Sequence, residues 1–198
     1  MYSKSLQTAV QVSLLLTSLW LAPSTVLAEP VTYTVDSKHS YASFEINHLG
    51  LSTVRGRFDR TSGTIVLDKA TGSGSIEVSI DSASIDTGLA KRDEHLRRKE
   101  FFDVEQYPTI SFVARALSFD GEKLTRAEGD LTMLGRTHPV SLEITHFACA
   151  QHPIYHVPAC GADARTLIRR SDWGMTTYVP SIGDEVTILI NVEALKLQ

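Results

Sequence analysis

Ala42-Ser-Phe44-Glu-Ile46-Asn-His48 decides the fold class. Ala42, Phe44, Ile46 and His48 fall on one face of an extended chain, and Ser43, Glu45 and Asn47 on the other. That period of two marks a strand with one face turned to a core. The same alternation recurs in Ile76–Asp81, in Val140–His146 and in Val186–Val192. Weaker strand patterns are predicted at 31–35, 54–58, 63–68, 109–119, 129–134 and 164–170. Turn residues separate them: 68–74 with Gly72 and Gly74, Asp120-Gly121, Gly135 and Gly183-Asp184. Only Ile85 to Tyr107 breaks the rhythm; it holds helix formers and predicts one helical insertion near 86–100, ended before Pro108. About eight or more antiparallel strands in one domain imply a sandwich or a closed barrel, since closure removes exposed edges. Periodicity leaves open whether the inward side chains fill the interior or line a cavity, because an eight-stranded barrel does either.

The segment before these strands has the three parts of a secretory signal: Lys4, an apolar run from Val10 to Leu21, and Val26-Leu-Ala28 as a cleavage site before Glu29. The run is too short for a transmembrane helix, which needs about 20 apolar residues. Residues 1–28 are therefore expected to be a cleaved signal peptide and 29–198 one domain, placed in the periplasm. The whole sequence carries 19 basic and 23 acidic residues, net −4, and loss of Lys4 makes the domain one unit more negative. Mildly acidic and evenly scattered, these charges are not the basic surface that binds nucleic acid.

Chemistry-bearing motifs are few. Cys149-Ala-Gln-His152-Pro-Ile-Tyr-His156-Val-Pro-Ala-Cys160 has residue types that ligate zinc. A chain read as exported, with just two cysteines, more readily oxidises them, so a Cys149–Cys160 disulfide across a surface loop is expected and no metal. Such a bridge stabilises by roughly 2–4 kcal/mol. Asp36, His39 and Ser40 lie close in sequence, but neighbours along extended chain point to opposite faces and form no relay; Asp36 and Ser40 read as turn and strand-start residues. There is no nucleophile elbow and no glycine-rich phosphate loop. His48 and His146 each end an inward run and read first as hydrogen-bonded interior residues. The Lys91-Arg92…His95…Arg97-Arg98-Lys99 cluster reads first as a solvated helix face, with a head-group role as the alternative.

Four stretches in order resemble the YceI-like, polyisoprenoid-binding family. They are Asp36–Phe58, with His39-Ser40, His48-Leu-Gly50 and Arg55-Gly56-Arg-Phe58; Arg92–Pro108, with Arg92-Asp93-Glu-His95-Leu96 and Phe101-Phe102; Gly129–Val140, with Gly135-Arg-Thr137-His-Pro139; and Ile168–Met175 with Gly183–Val186. Trp173 stands where the family often has another aromatic. The resemblance implies a lipocalin-like antiparallel barrel with a long internal tunnel for an isoprenoid or similar lipid. It also implies an envelope protein without catalysis or a cofactor, often a homodimer, exchanging its ligand with a membrane. On that reading the tunnel lining is expected from Phe44, Ile46, His48, Ile76, Val78, Ile80, Ile110, Phe112, Leu131, Met133, Leu142, Ile144, Ile188 and Ile190. Arg92 and His95 are the candidate head-group contacts, and Phe101 and Phe102 seat the helix on the barrel. Two rivals stand beside it: an enzyme acting on a lipid or small amide, and a module with a filled interior.

Overall fold

The computed structural model describes residues 29–197; the expected signal peptide lies outside them. Eleven strands form one antiparallel sheet that closes on itself. They are β1 (Val31–Val35), β2 (Tyr41–His48), β3 (Ser52–Phe58), β4 (Thr61–Asp68), β5 (Ser73–Asp81), β6 (Ile85–Asp86), β7 (Thr109–Asp120), β8 (Lys123–Met133), β9 (Arg136–Gln151), β10 (Pro158–Arg169) and β11 (Ile182–Leu195). Three pairs act as single bent staves. β1 and β2 share an edge of β11, β3 and β4 follow them in turn, and β5 continues into β6 beside β3. The result is a barrel of eight staves, the lipocalin-like arrangement the resemblance implies.

Ser40 fixes one of the bends. Fully buried, its hydroxyl donates to Glu193 O at 3.1 Å and accepts from Glu193 N at 3.0 Å, so the β1–β2 joint is bonded to β11 on both sides. That meets the backbone groups a bend would otherwise leave unpaired. Asp36 holds the joint's turn, accepting from Lys38 N at 3.0 Å and from the His39 ring at 2.8 Å.

Antiparallel order places the connections 49–51, 82–108, 134–135 and 170–181 at one end, called here the upper end, which so receives the two longest. The lower end has the shorter connections 69–72, 121–122 and 152–157. The sole α-helix among the described residues, α1 (Ala90–Leu96), is shorter than the 86–100 expectation. Ile85-Asp86 stay extended because the edge of β3 offers hydrogen bonds at Phe58 and Arg57. After Leu96 the chain turns back, with Phe102 N donating to Leu96 O. Arg97 ties this insertion down by donating to Ala83 O and Ile85 O at 2.8 and 2.9 Å.

Three expectations fail locally. Gly183-Asp184 is no turn; it lies inside β11 at a register shift between Ile182 and Val186. His146 is exposed, because a bulge opposite Asp163 and Ala164 flips the face of β9 after Ile144. Cys149 and Cys160 form the expected disulfide, but as opposed residues of the β9–β10 ladder rather than within a loop.

Candidate ligand-binding site

The barrel interior has layers. At the lower end Tyr33, Leu67, Cys160 and Ala194 pack together. In the middle, Phe112, Ala114, Leu124, Ala127, Leu142, Ile144 and Ala164 form a solid layer, with Ile76 and Ile190 against it. Above it the interior opens into a cavity of about 300 Å³, the small end of the roughly 300–1,000 Å³ typical of small-molecule sites.

Each wall of the cavity is a strand's inner face. β2 contributes Phe44, Ile46 and His48, β8 Leu131 and Met133, and β11 Val186 and Ile188; Ile80 and Ile110 sit opposite each other on β5 and β7. The roof comes from the upper-end connections: Leu96, Phe101 and Phe102 from the α1 insertion, Met175 and Tyr178 from the segment before β11, and Ile182 at its start. Phe102 stands edge-on to Phe58 with ring centroids 5.3 Å apart, and Phe101 lies 6.1 Å from Tyr178. Tyr178 is 58% exposed while lining the cavity, so the cavity reaches solvent there.

Of the expected lining, Phe44, Ile46, His48, Ile80, Ile110, Leu131, Met133 and Ile188 lie on the cavity wall, with Arg92 and His95. Ile76, Val78, Phe112, Leu142, Ile144 and Ile190 do not. Five of these belong to the middle layer, and Val78 packs beside Gly63 one step below Ile80. The long tunnel is thus a cavity over a packed layer. Alternation tells inward from outward; depth along the axis depends on register. The pairs Ile80–Ile110 and Val78–Phe112 straddle the boundary.

Arg92 and His95 are not free groups. Arg92 donates to the Thr87 hydroxyl and to Thr87 O, both at 2.7 Å, and His95 Nε2 lies 3.3 Å from Glu100. Asp93, buried, accepts from Thr87 N and from its hydroxyl, which fixes the start of α1.

The cation that sequence reasoning missed is Arg170. It lines the cavity with 3% of its surface exposed. Its guanidinium donates to Gly183 O (2.8 Å), Met175 O (3.0 Å), Thr177 O (2.9 Å) and Ile182 O (3.1 Å). Burial pulls its pKa below the ordinary guanidinium value, opposed by Asp184 nearby. Asp184 in turn accepts from Ser171 N at 2.9 Å and its hydroxyl at 2.8 Å. Burial raises that carboxyl, but these bonds and the adjacent arginines hold it below its ordinary value. Arg170 is therefore the post around which the roof segment is wound. Its one sequence signal was the Ile168–Met175 stretch, quoted for the resemblance without a role.

The Asp36–His39–Ser40 set does not act on the cavity. The pair is near the surface, and the Ser40 hydroxyl is spent on Glu193. The two cysteines are bonded to each other and offer no thiolate to a metal.

Among known proteins, the YceI-like domain model matches residues 33–194. Protein YceI of Escherichia coli O157:H7 is 31% identical over 180 residues, 90% of this chain and 93% of that protein. The crystal structure of Burkholderia cenocepacia BcnA superposes with a TM-score of 0.68 at 26% identity, covering 80% of this chain and 98% of BcnA. A polyisoprenoid-binding domain from Saccharophagus degradans, implicated in plant cell wall breakdown, shares the fold with a TM-score of 0.63 at 16% identity over 84% of this chain and 99% of that domain. A barrel of this topology, matched from β1 into β11, places the chain in the YceI-like family.

Proposed function

We propose that this protein is a non-enzymatic carrier of a long apolar molecule, a polyisoprenoid, isoprenoid quinone or similar lipid, acting in the periplasm after removal of residues 1–28. The observation that carries this reading is the cavity itself: apolar on nearly every wall, roofed by aromatic side chains, and reaching solvent beside Tyr178. Its few polar side chains are Ser43, His48, Arg92, His95 and Arg170, and the last three already have protein partners, so they suit orientation of a polar end better than catalysis.

Burial is worth about 0.8 kcal/mol per CH₂, so one five-carbon isoprene unit contributes roughly 3–4 kcal/mol before ordering is subtracted. At a water-like share of about 30 Å³ per heavy atom, the present cavity holds roughly ten carbons, or two such units. Two units supply roughly 6–8 kcal/mol gross, so once ordering is subtracted a micromolar affinity, about −8 kcal/mol, needs further buried units. The rest of a longer chain lies past Tyr178 or displaces the middle layer.

Native mass spectrometry and lipid extraction of the purified chain test the reading. A reproducible lipid adduct is expected in the wild type, and its loss in Ile80→Trp, which fills the cavity from a wall position. A wild-type protein that is empty and takes up neither a prenyl alcohol nor a quinone refutes the carrier.

A further inference from the structure

Two neighbouring segments at the upper end display apolar side chains in a way that packing does not explain. The β2–β3 hairpin turns at Leu49-Gly50, both at positive φ (59° and 68°). Glycine accepts that conformation; leucine is strained there. Leu49 is nonetheless 53% exposed and Leu51 is 83% exposed. The turn is held firmly, with Gly50 N donating to the Asn47 side chain at 2.8 Å and Leu51 N to His48 O at 3.0 Å. Beside it, Tyr178 also has a positive φ (63°) and is exposed, as is Val179. The two segments are tied by Leu49 N donating to Ser181 O at 2.8 Å and by the His48–Ile182 pairing. His48, Tyr178 and Ile182 all line the cavity, so this apolar tip is the rim of its opening.

Cations accompany the rim. The Thr177 hydroxyl donates to Glu100 O at 2.9 Å, which sets the α1 insertion beside Tyr178. On that insertion Glu94 is engaged by Arg98 and Glu100 by His95. Lys91 and Lys99 are exposed and pair with no carboxylate among the described residues.

We infer that this rim docks on an anionic phospholipid surface, with Leu49, Leu51, Tyr178 and Val179 entering the apolar layer and Lys91 and Lys99 meeting head groups, so that the ligand passes between membrane and cavity without crossing water. The inference rests on the carrier reading. A second copy of the chain fits the rim less well, since a stable protein interface takes roughly 20–30 residues a side and the tip offers four apolar side chains. A membrane needs no such area, because each buried side chain adds independently, and the unpaired lysines match its charge.

The test uses the barrel from Glu29 onward, which removes the apolar leader as a source of binding. It is floated with vesicles of phosphatidylcholine alone or with one part phosphatidylglycerol to two. The wild type is expected to co-float with the anionic vesicles, less so at high salt. Leu51→Glu is expected to reduce the bound fraction roughly tenfold or more. Leu49→Asn should also weaken flotation while raising the unfolding midpoint, because asparagine tolerates the left-handed conformation. Uptake of a fluorescent prenyl alcohol from dilute solution, without vesicles, should be unchanged in both variants. Uptake without flotation, or equal flotation of Leu51→Glu, overturns the docking inference and leaves the carrier standing. Flotation without uptake supports docking and sinks the carrier. A concentration-dependent dimer that Leu51→Glu abolishes, with flotation untouched, assigns the rim to a second copy and overturns the inference.

Discussion

Arg170→Met should destabilise the protein by about 3 kcal/mol, and the structure says where that comes from. Methionine keeps an apolar stem of similar length, so little packing is lost. What disappears is the fork that satisfies four carbonyls, those of Met175, Thr177, Ile182 and Gly183. Bonds from a charged donor are worth about 1.5–3 kcal/mol each, and a buried acceptor left without a partner costs about 1–3 kcal/mol. Against this, the wild-type side chain keeps a cation at 3% exposure without a bonded carboxylate, a desolvation cost of several kcal/mol that methionine avoids. Met175 is buried, whereas Thr177, Ile182 and Gly183 are half-buried and can recover water, so the gross loss sits near its lower end, about 6 kcal/mol, and subtracting the desolvation cost leaves about 3 kcal/mol. With a urea slope of about 2 kcal/mol/M, the midpoint should fall by roughly 1.5 M with the slope unchanged. Arg170→Lys should recover only part of this, since one ammonium cannot span the same four acceptors. Amide exchange should accelerate first across 174–183, and ligand uptake should fall with the loss of Met175 and Tyr178 from the roof. A variant within about 0.5 kcal/mol of wild type, with 174–183 still protected, would refute the claim that Arg170 organises the roof.

Cys149→Ser with Cys160→Ser should lower stability by about 2–3 kcal/mol in urea unfolding, the worth of a short closed loop, yet leave ligand uptake intact, because the bridge lies in the lower cluster. The Asp36 hydrogen bond raises the pKa of His39, and the His39 hydrogen bond lowers that of Asp36. A raised histidine stabilises fully below its unfolded value of about 6.5 and loses this as pH rises through the folded value. A lowered aspartate stabilises above about 3.9 and loses this as pH falls through its folded value. Asp36→Asn should therefore move the His39 ring titration, followed by NMR, to lower pH; an unmoved titration contradicts the pairing. Phe112→Ala, which opens the middle layer, should cost about 3–5 kcal/mol and lengthen the longest prenyl chain retained in native mass spectra. An unchanged length limit would mean that the excess chain leaves past Tyr178 instead.

The strands were legible because polar and apolar residues alternate where one face meets a core, as along Phe44–His48 and Val186–Val192. Their ends were not: β9 and β10 run on through Cys149 and Cys160, which pack in the lower cluster but, beside His152, Pro153 and Pro158, read as loop. β6 is two residues long and exhibits no period at all. Eight of the fourteen expected lining residues reach the cavity, and the six that do not are inward residues at the wrong depth. Depth is set by which residue opposes which across the ladder, a relation between distant segments that one strand does not encode. Met175 and Tyr178 escaped for a different reason. They lie in irregular chain whose path is dictated by Arg170, and a buried arginine among carbonyls resembles, in sequence, any surface arginine.

The axis of the barrel divides its tasks. Strands alternating in direction bring the two longest connections, 82–108 and 170–181, to the upper end, and the cavity lies directly beneath them. There the roof is held by side-chain hydrogen bonds, Arg170 to four carbonyls and Arg97 to two, rather than by a continuous ladder. The lower half is held by long strand ladders, the disulfide and the middle layer. Local opening in proteins falls on the segments with the fewest buried contacts and the least regular hydrogen bonding, here the roof. A long ligand entering an apolar cavity through a narrow opening needs one wall able to yield while the rest keeps its shape. The least regularly bonded roof segment is the same one that presents Tyr178 and Val179 beside Leu49 and Leu51, so ligand entry and the proposed lipid contact would fall on one element.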